Sequence, residues 1–239
     1  MIIHRASREL NEVALIFDDG PNPEVTPALL DVLKDKKVPG NFFLIGARAE
    51  EFPEVAQRIA REGHEIGNHT YTHPRLTQLL RQSGAVAVKE EIERGASAIK
   101  GAAKLGGSDI TFLRPPYLDW NKGVEEIASS LYRSRIILSR LAIEDYDWGV
   151  KCRWERDDTA GITEQSERIV NAWNNANNGT LLCFHDSSQH NLPGQESCEM
   201  WMYRALPTLE AIPQIIDDLI RRDLFIKTLS EMTLLPETS

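Results

Sequence analysis

Short apolar runs alternate along this chain with helix-length amphipathic stretches, and most of the runs end in a cluster of polar residues. Residues 13–17 read as a buried strand that stops at the turn cluster Asp18-Asp19-Gly20-Pro21. Thr26 then offers an N-cap with Pro27 at the first helical position, which predicts a helix to about Lys37. Further strands are expected at 41–45, 65–68, 110–113, 136–138, 142–143, 180–184 and 224–228. Helices are expected at 52–63, 76–104, 122–131, 163–175 and 205–222, the second interrupted at Gly84, Gly95 and Gly101. Strands separated by helices predict a parallel sheet with right-handed crossovers. Seven or eight such strands favour a barrel over an open sheet, and no linker-like shift in composition divides the chain, so 1–239 reads as one α/β domain.

Charge narrows the range of partners. The chain carries 27 Lys and Arg against 36 Asp and Glu, a net charge of −9. That sign opposes sequence-independent binding to nucleic acid or anionic lipid, both of which need basic clusters. No apolar run approaches the roughly 18 residues of a spanning helix. Cys183, inside the apolar run 181–184, reads as a buried thiol, while a Cys152–Cys198 bridge stays open. The start Met1-Ile2-Ile3-His4-Arg5 does not read as a signal peptide, which leaves a cytosolic protein or one whose leader was removed.

The chemistry-bearing residues are distinguished by where they fall. Asp18-Asp19, His69 with His73, Arg114 with Tyr117, Asp147 and His185 each follow the end of an expected strand. In a strand–helix barrel those ends share one face, where such enzymes keep their active sites. Singly, each has a plainer reading. Asp18-Asp19-Gly20-Pro21 makes a turn, Arg114 a loop charge, Asp147-Trp148 a helix cap and a core aromatic, and His185 a hydrogen-bonded rim residue. Trp120, Trp154, Trp173 and Trp201 read as packing. Two imidazoles at the spacing of His69 and His73 can aim at one ion from a helical turn or a tight loop. Two His with one Asp suit Zn²⁺ or a similar divalent ion, and three protein ligands leave a coordination position open.

In this order the segments resemble the NodB-type polysaccharide deacetylases, carbohydrate esterase family 4, over about residues 13–232. The residues that carry the resemblance are Ile16-Phe17-Asp18-Asp19-Gly20-Pro21, His69-Thr70-Tyr71-Thr72-His73, Arg114-Pro115-Pro116-Tyr117, Asp147-Trp148 and Cys183-Phe184-His185. The resemblance implies a distorted (β/α) barrel of seven or eight mostly parallel strands that binds one divalent ion, Zn²⁺ first and Co²⁺ as an alternative. It implies an acetylated oligo- or polysaccharide as substrate, and a secreted or cell-envelope location. Carried over, Asp19, His69 and His73 resemble the metal ligands, Asp18 the general base and His185 the general acid. Arg114 and Asp147 resemble the supporting pair, Arg114 holding Asp147 and Asp147 favouring protonated His185. The backbone N–H of Tyr117 resembles an oxyanion donor. Substrate contacts fall on Pro116, Tyr117, Trp120, Trp148, Leu182 and Cys183.

Four residues depart from the family pattern: Ile16 for Thr, Leu118 for Gly, Glu144 for Asp, and Cys183 for the Leu that lines the acetyl pocket. They bear on substrate fit rather than on the catalytic set. The segment 187–203 is long for a barrel loop and is expected at the cleft rim. The reading that follows is metal-dependent removal of acetyl groups from chitin-like or peptidoglycan sugars, or from xylan. Its alternatives are a catalytically silent carbohydrate-binding relative and an amide or formamide hydrolase on the same barrel.

Overall fold

Parallel strands form the centre of the structure, and helical crossovers return the chain from one strand to the next. A computed structural model describes residues 2–107, 110–131, 135–137, 159–174, 176–187 and 199–236. The first half runs β1 (Ile2–Ala6), β2 (Glu12–Asp18), α1 (Val25–Lys36), β3 (Asn41–Leu44), α2 (Gly46–Glu51), α3 (Pro53–Arg61), β4 (Glu65–Asn68) and α4 (Leu76–Ala102). The second runs β5 (Phe112–Leu113), a 3₁₀ turn at Pro116–Leu118, α5 (Lys122–Leu131), β6 (Arg135–Ile137), α6 (Thr159–Trp173), β7 (Leu181–His185), α7 (Glu199–Arg221), β8 (Phe225–Ile226) and β9 (Leu234–Pro236).

The strand order is β7-β2-β3-β4-β5-β6-β1-β9, with β8 against β2. Every pair is parallel except β1 with β9. The sheet curls back on itself where the Ala6 N–H donates to Gly179 O at 3.0 Å, joining the end of β1 to the turn before β7. The result is the expected distorted (β/α) barrel.

Strand parity decides which side chains reach the barrel interior. Successive residues of a strand point to opposite faces. In β2, Val13, Leu15 and Phe17 join the layer between sheet and helices, while Ala14 and Ile16 join the inner cluster with Ile3, Phe43 and Phe112. In β7, Leu182 and Phe184 face the helices, whereas Leu181 and Cys183 face inward. The same alternation carries Asp18 and His185 inward at the strand ends. Phe17 stacks between Phe42 and Phe184 with ring centroids 5.0 and 5.6 Å away. Each such pair adds about 0.5–1.5 kcal/mol beyond burial and fixes the outer face of the two strands that carry Asp18 and His185.

The start of α1 corrects the expected cap. Thr26 lies inside the helix, and Asn22 does the capping: its Oδ1 accepts the N–H groups of Glu24 and Val25 at 2.8 and 2.9 Å. Thr26 is buried and turns its hydroxyl to Asp186. The interruption expected at three glycines of α4 occurs at Gly84, where φ is +82°. The expected strand at 142–143 and most of the segment 187–203 lie outside the described residues.

Candidate active site

Asp18 ends β2 and Asp19 begins the turn, with φ of +75°. A non-glycine residue held there costs free energy, so surrounding contacts must fix it. His69 follows β4 directly, and its N–H donates to Leu44 O at 2.8 Å. The segment from His69 to His73 is a tight loop in which Thr70 and His73 both have positive φ. Asn68 organises it from below. Its Oδ1 accepts the Thr70 N–H at 2.9 Å, and its Nδ2 donates to Ile92 O of α4 at 2.9 Å. The Thr70 hydroxyl accepts the His73 N–H at 3.2 Å.

These elements bring three ligand atoms together. Asp19 Oδ1 lies 3.4 Å from His69 Nε2 and 3.1 Å from His73 Nε2, and the two Nε2 atoms are 3.2 Å apart. All three side chains are buried. His69 Nδ1 lies 2.7 Å from Arg114 O, so this nitrogen carries the proton and Nε2 presents a lone pair to the triangle. Tetrahedral bonds of 2.0–2.1 Å to Zn²⁺ would separate neighbouring ligand atoms by about 3.3 Å, close to all three edges. Asp19 Oδ1 and His73 Nδ1 have no hydrogen-bond partner among the described residues. A divalent ion fits this donor set.

The electrostatics separate the two adjacent aspartates. Burial raises the pKa of Asp19, but His73 and His69 outweigh it and hold the carboxyl well below its usual range. Burial also opposes ionisation of Asp18, yet Arg114, then His69 and His185, bring its pKa below the usual value. Burial and the neighbouring His69 push His73 down despite the opposing pull of Asp19 and Asp18, favouring the neutral ring that a ligand requires.

The expected contact of Arg114 with Asp147 lies outside the described residues, as does Trp148. Among the described residues the Arg114 Nε contacts Asp18 Oδ2 at 2.5 Å, and its Nη2 donates to Cys183 Sγ at 3.0 Å. The Cys183 thiol in turn lies 3.3 Å from Asp18 Oδ2. The inner oxygen of Asp18 is therefore held twice, while Oδ1 has no hydrogen-bond partner among the described residues. His185 sits across the β2–β7 pair, in register with Asp18.

Tyr117 has φ of +58° and is 40% exposed. The ring packs 4.7 Å from that of His73, with the Arg75 guanidinium 4.1 Å from its centroid. The turn's hydrogen bonds run from the N–H groups of Leu118 and Asp119 to the carbonyls of Pro115 and Pro116, leaving that of Tyr117 outside them. Pro116, the first residue of this turn, is buried. One expected substrate contact falls elsewhere: Leu182 is buried and faces the helices because its neighbour Cys183 faces inward. Trp120 is half-buried, with part of its side chain packed against the same helix-side layer. Thr26 and Asp186 were not anticipated, although Asp186 stands next to His185 in the sequence.

A polysaccharide deacetylase family model matches residues 6–133, more than half of the chain. The chain belongs to the polysaccharide deacetylase family. It is 46% identical over 108 residues, 44% of its length, to a peptidoglycan-N-acetylglucosamine deacetylase of Bacillus cereus, and spans 36% of that relative. Two further deacetylases are spanned over 64% and 21% of their lengths. A chitooligosaccharide deacetylase of Bradyrhizobium is 33% identical over 222 residues, 92% of this chain and 90% of the relative. Among solved structures, a peptidoglycan N-acetylglucosamine deacetylase superposes with a TM-score of 0.74 at 27% identity, covering 97% of this chain and 92% of that one. The family is metal-dependent, and Asp19, His69 and His73 form a buried triangle of donor atoms that could hold one ion.

Proposed function

We propose that this chain hydrolyses acetyl groups from an acetylated amino-sugar oligomer or polymer, with one divalent ion held by Asp19, His69 and His73, and that the ion is Zn²⁺. The observation that carries the reading is the division of labour between neighbouring carboxylates. Asp19 turns its oxygen to two imidazoles, whereas Asp18 is anchored by Arg114 and keeps Oδ1 without a partner among the described residues.

A bound divalent ion supplies Lewis acidity, polarising an acyl oxygen and lowering the pKa of water from 15.7 to about 7. Asp18, ionised despite burial, takes a proton at Oδ1 as a water oxygen bonds to the acetyl carbon. Arg114 and Cys183 keep its other oxygen turned inward, so the acceptor geometry is fixed before substrate arrives. The developing oxyanion requires donors, and the N–H of Tyr117 is the backbone candidate at the rim. Losing one such donor typically costs about 2.7–4 kcal/mol in the barrier. An amine cannot depart as an anion, so His185, in register with Asp18, protonates the sugar nitrogen as the C–N bond breaks.

The end-to-end match to a chitooligosaccharide deacetylase supports an N-acetyl substrate over a xylan ester. Acetate release measured in parallel on chitooligosaccharides, acetylated peptidoglycan glycan and acetylxylan tests this. Acetate with an equal amount of new free amine from the amino sugars is the expected result. Acetate from acetylxylan alone would move the substrate to esters, and none from any of the three would overturn the activity.

A further inference from the structure

We infer that Asp186 is a positioning residue that clamps the turn carrying Asp18 and Asp19 to the strand carrying His185, and that it thereby sets the affinity of the site for its divalent ion. The inference rests on the metal-hydrolase reading above and assigns a task to a buried carboxyl that the mechanism does not use.

Asp186 is 1% exposed and lies at the end of β7, directly after His185. Its N–H donates to Asp18 O at 3.3 Å, extending the β2–β7 pairing one step beyond the strands. Its side chain then passes beneath the turn. A Cβ placed on Gly20 would lie 2.6 Å from both carboxyl oxygens of Asp186, so the carboxyl packs directly on the Gly20 backbone. Only glycine admits that approach.

Oδ2 of Asp186 accepts the Thr26 hydroxyl. The same hydroxyl accepts the Asn22 N–H at 2.8 Å, and Asn22 Oδ1 holds the first N–H groups of α1. A continuous hydrogen-bonded path thus runs from the acid strand through Asp186, Thr26 and Asn22 to the start of α1. Asp19, with its positive φ, lies inside the segment that this path encloses. The ligand oxygen is held in place by contacts on the far side of the turn from the ion, and the carboxyl that makes them never touches it.

Partners one step removed from a metal commonly change affinity or activity by about 10–100-fold when removed. Zn²⁺ affinity, measured by competition with a chromophoric chelator, is therefore expected to fall by about 10–100-fold in Asp186→Ala. Asp186→Asn, whose amide oxygen still accepts the Thr26 hydroxyl, should stay within about threefold of the parent. Thr26→Val should share the loss with Asp186 intact, which keeps the test available if Asp186→Ala does not fold. The double variant should be no worse than the poorer single one, since both break one path. At saturating Zn²⁺, Asp186→Ala should lower kcat with KM within about threefold.

Parent affinity in both Asp186→Ala and Thr26→Val would overturn the clamp. So would an Asp186→Asn as impaired as Asp186→Ala. A parent chain that binds no Zn²⁺ would instead overturn the metal reading itself, an outcome distinct from these two.

Discussion

The Arg114 guanidinium grips the inner oxygen of Asp18, Nε to Oδ2 at 2.5 Å, with both side chains buried. An unpaired buried carboxylate would take up a proton, and breaking a buried pair typically costs about 3–5 kcal/mol. The contact therefore keeps Asp18 ionised and fixes which oxygen faces the site. Asp18→Asn retains an acceptor for Arg114 but cannot take a proton. It should keep Zn²⁺ at the parent stoichiometry and lose about 10²–10⁴-fold in kcat. Activity within threefold of the parent would assign the base elsewhere.

Asp19 stands next in the chain and does different work. Asp19→Ala removes the only carboxylate of the Asp19–His69–His73 triangle. After dialysis and elemental analysis its Zn²⁺ content should fall from about one equivalent to less than about a tenth, with three-ligand chelation gone. Zn²⁺ retained at the parent level would contradict the ligand role.

His64 gives a pH signature independent of the active site. Burial pushes it from 6.5 down to about 4, and its Nδ1 accepts the Gly40 N–H at 3.0 Å, a bond only the unprotonated nitrogen can make. The folded value lies below the unfolded one, so the unfolded chain binds more protons between pH 4 and 6.5. Stability should fall as pH drops through that window, by at most about 3 kcal/mol from this residue. Asp18 and Asp19, whose values are lowered from 3.8, contribute in the same direction below that window. Urea unfolding at pH 7 and pH 4.5 should show a smaller difference in His64→Gln than in the parent. Equal differences would remove His64 from the account.

Gly95 allows α4 to lie against the loop that carries the histidines. A Cβ there would come 2.6 Å from Asn68 Oδ1 and from the Thr70 carbonyl carbon. Gly95→Ala should cost about 1–3 kcal/mol, roughly 2–12 °C in Tm for a chain of this size, and should weaken Zn²⁺ binding. An unchanged Tm with unchanged Zn²⁺ affinity would show that the loop does not depend on this contact.

Much of the barrel was legible because its inner strands are apolar runs. β4 and α5 begin and end where the sequence pattern places them, at Glu65–Asn68 and Lys122–Leu131. β1 and β9 escaped notice because Ile2–Ala6 carries His4 and Arg5, and Leu234–Pro236 is three residues ending in proline. Gly95 read as a helix interruption, yet the helix continues through it, because its role is contact with a distant segment.

The same distinction runs through the site. Asp19, His69 and His73 could be named from local motifs, and the structure brings their ligand atoms together. The attachment of Arg114 to Asp18, across 96 positions, depends on register between strands and leaves no local trace. Leu182 was misplaced by one residue of strand parity, the smallest error that reverses a side chain's face.

Metal-dependent acetate release tests the central claim most directly. Protein dialysed against EDTA should release no acetate from a chitooligosaccharide, and about one equivalent of added Zn²⁺ per chain should restore the parent rate. Acetate release that persists after complete removal of the metal would contradict the account.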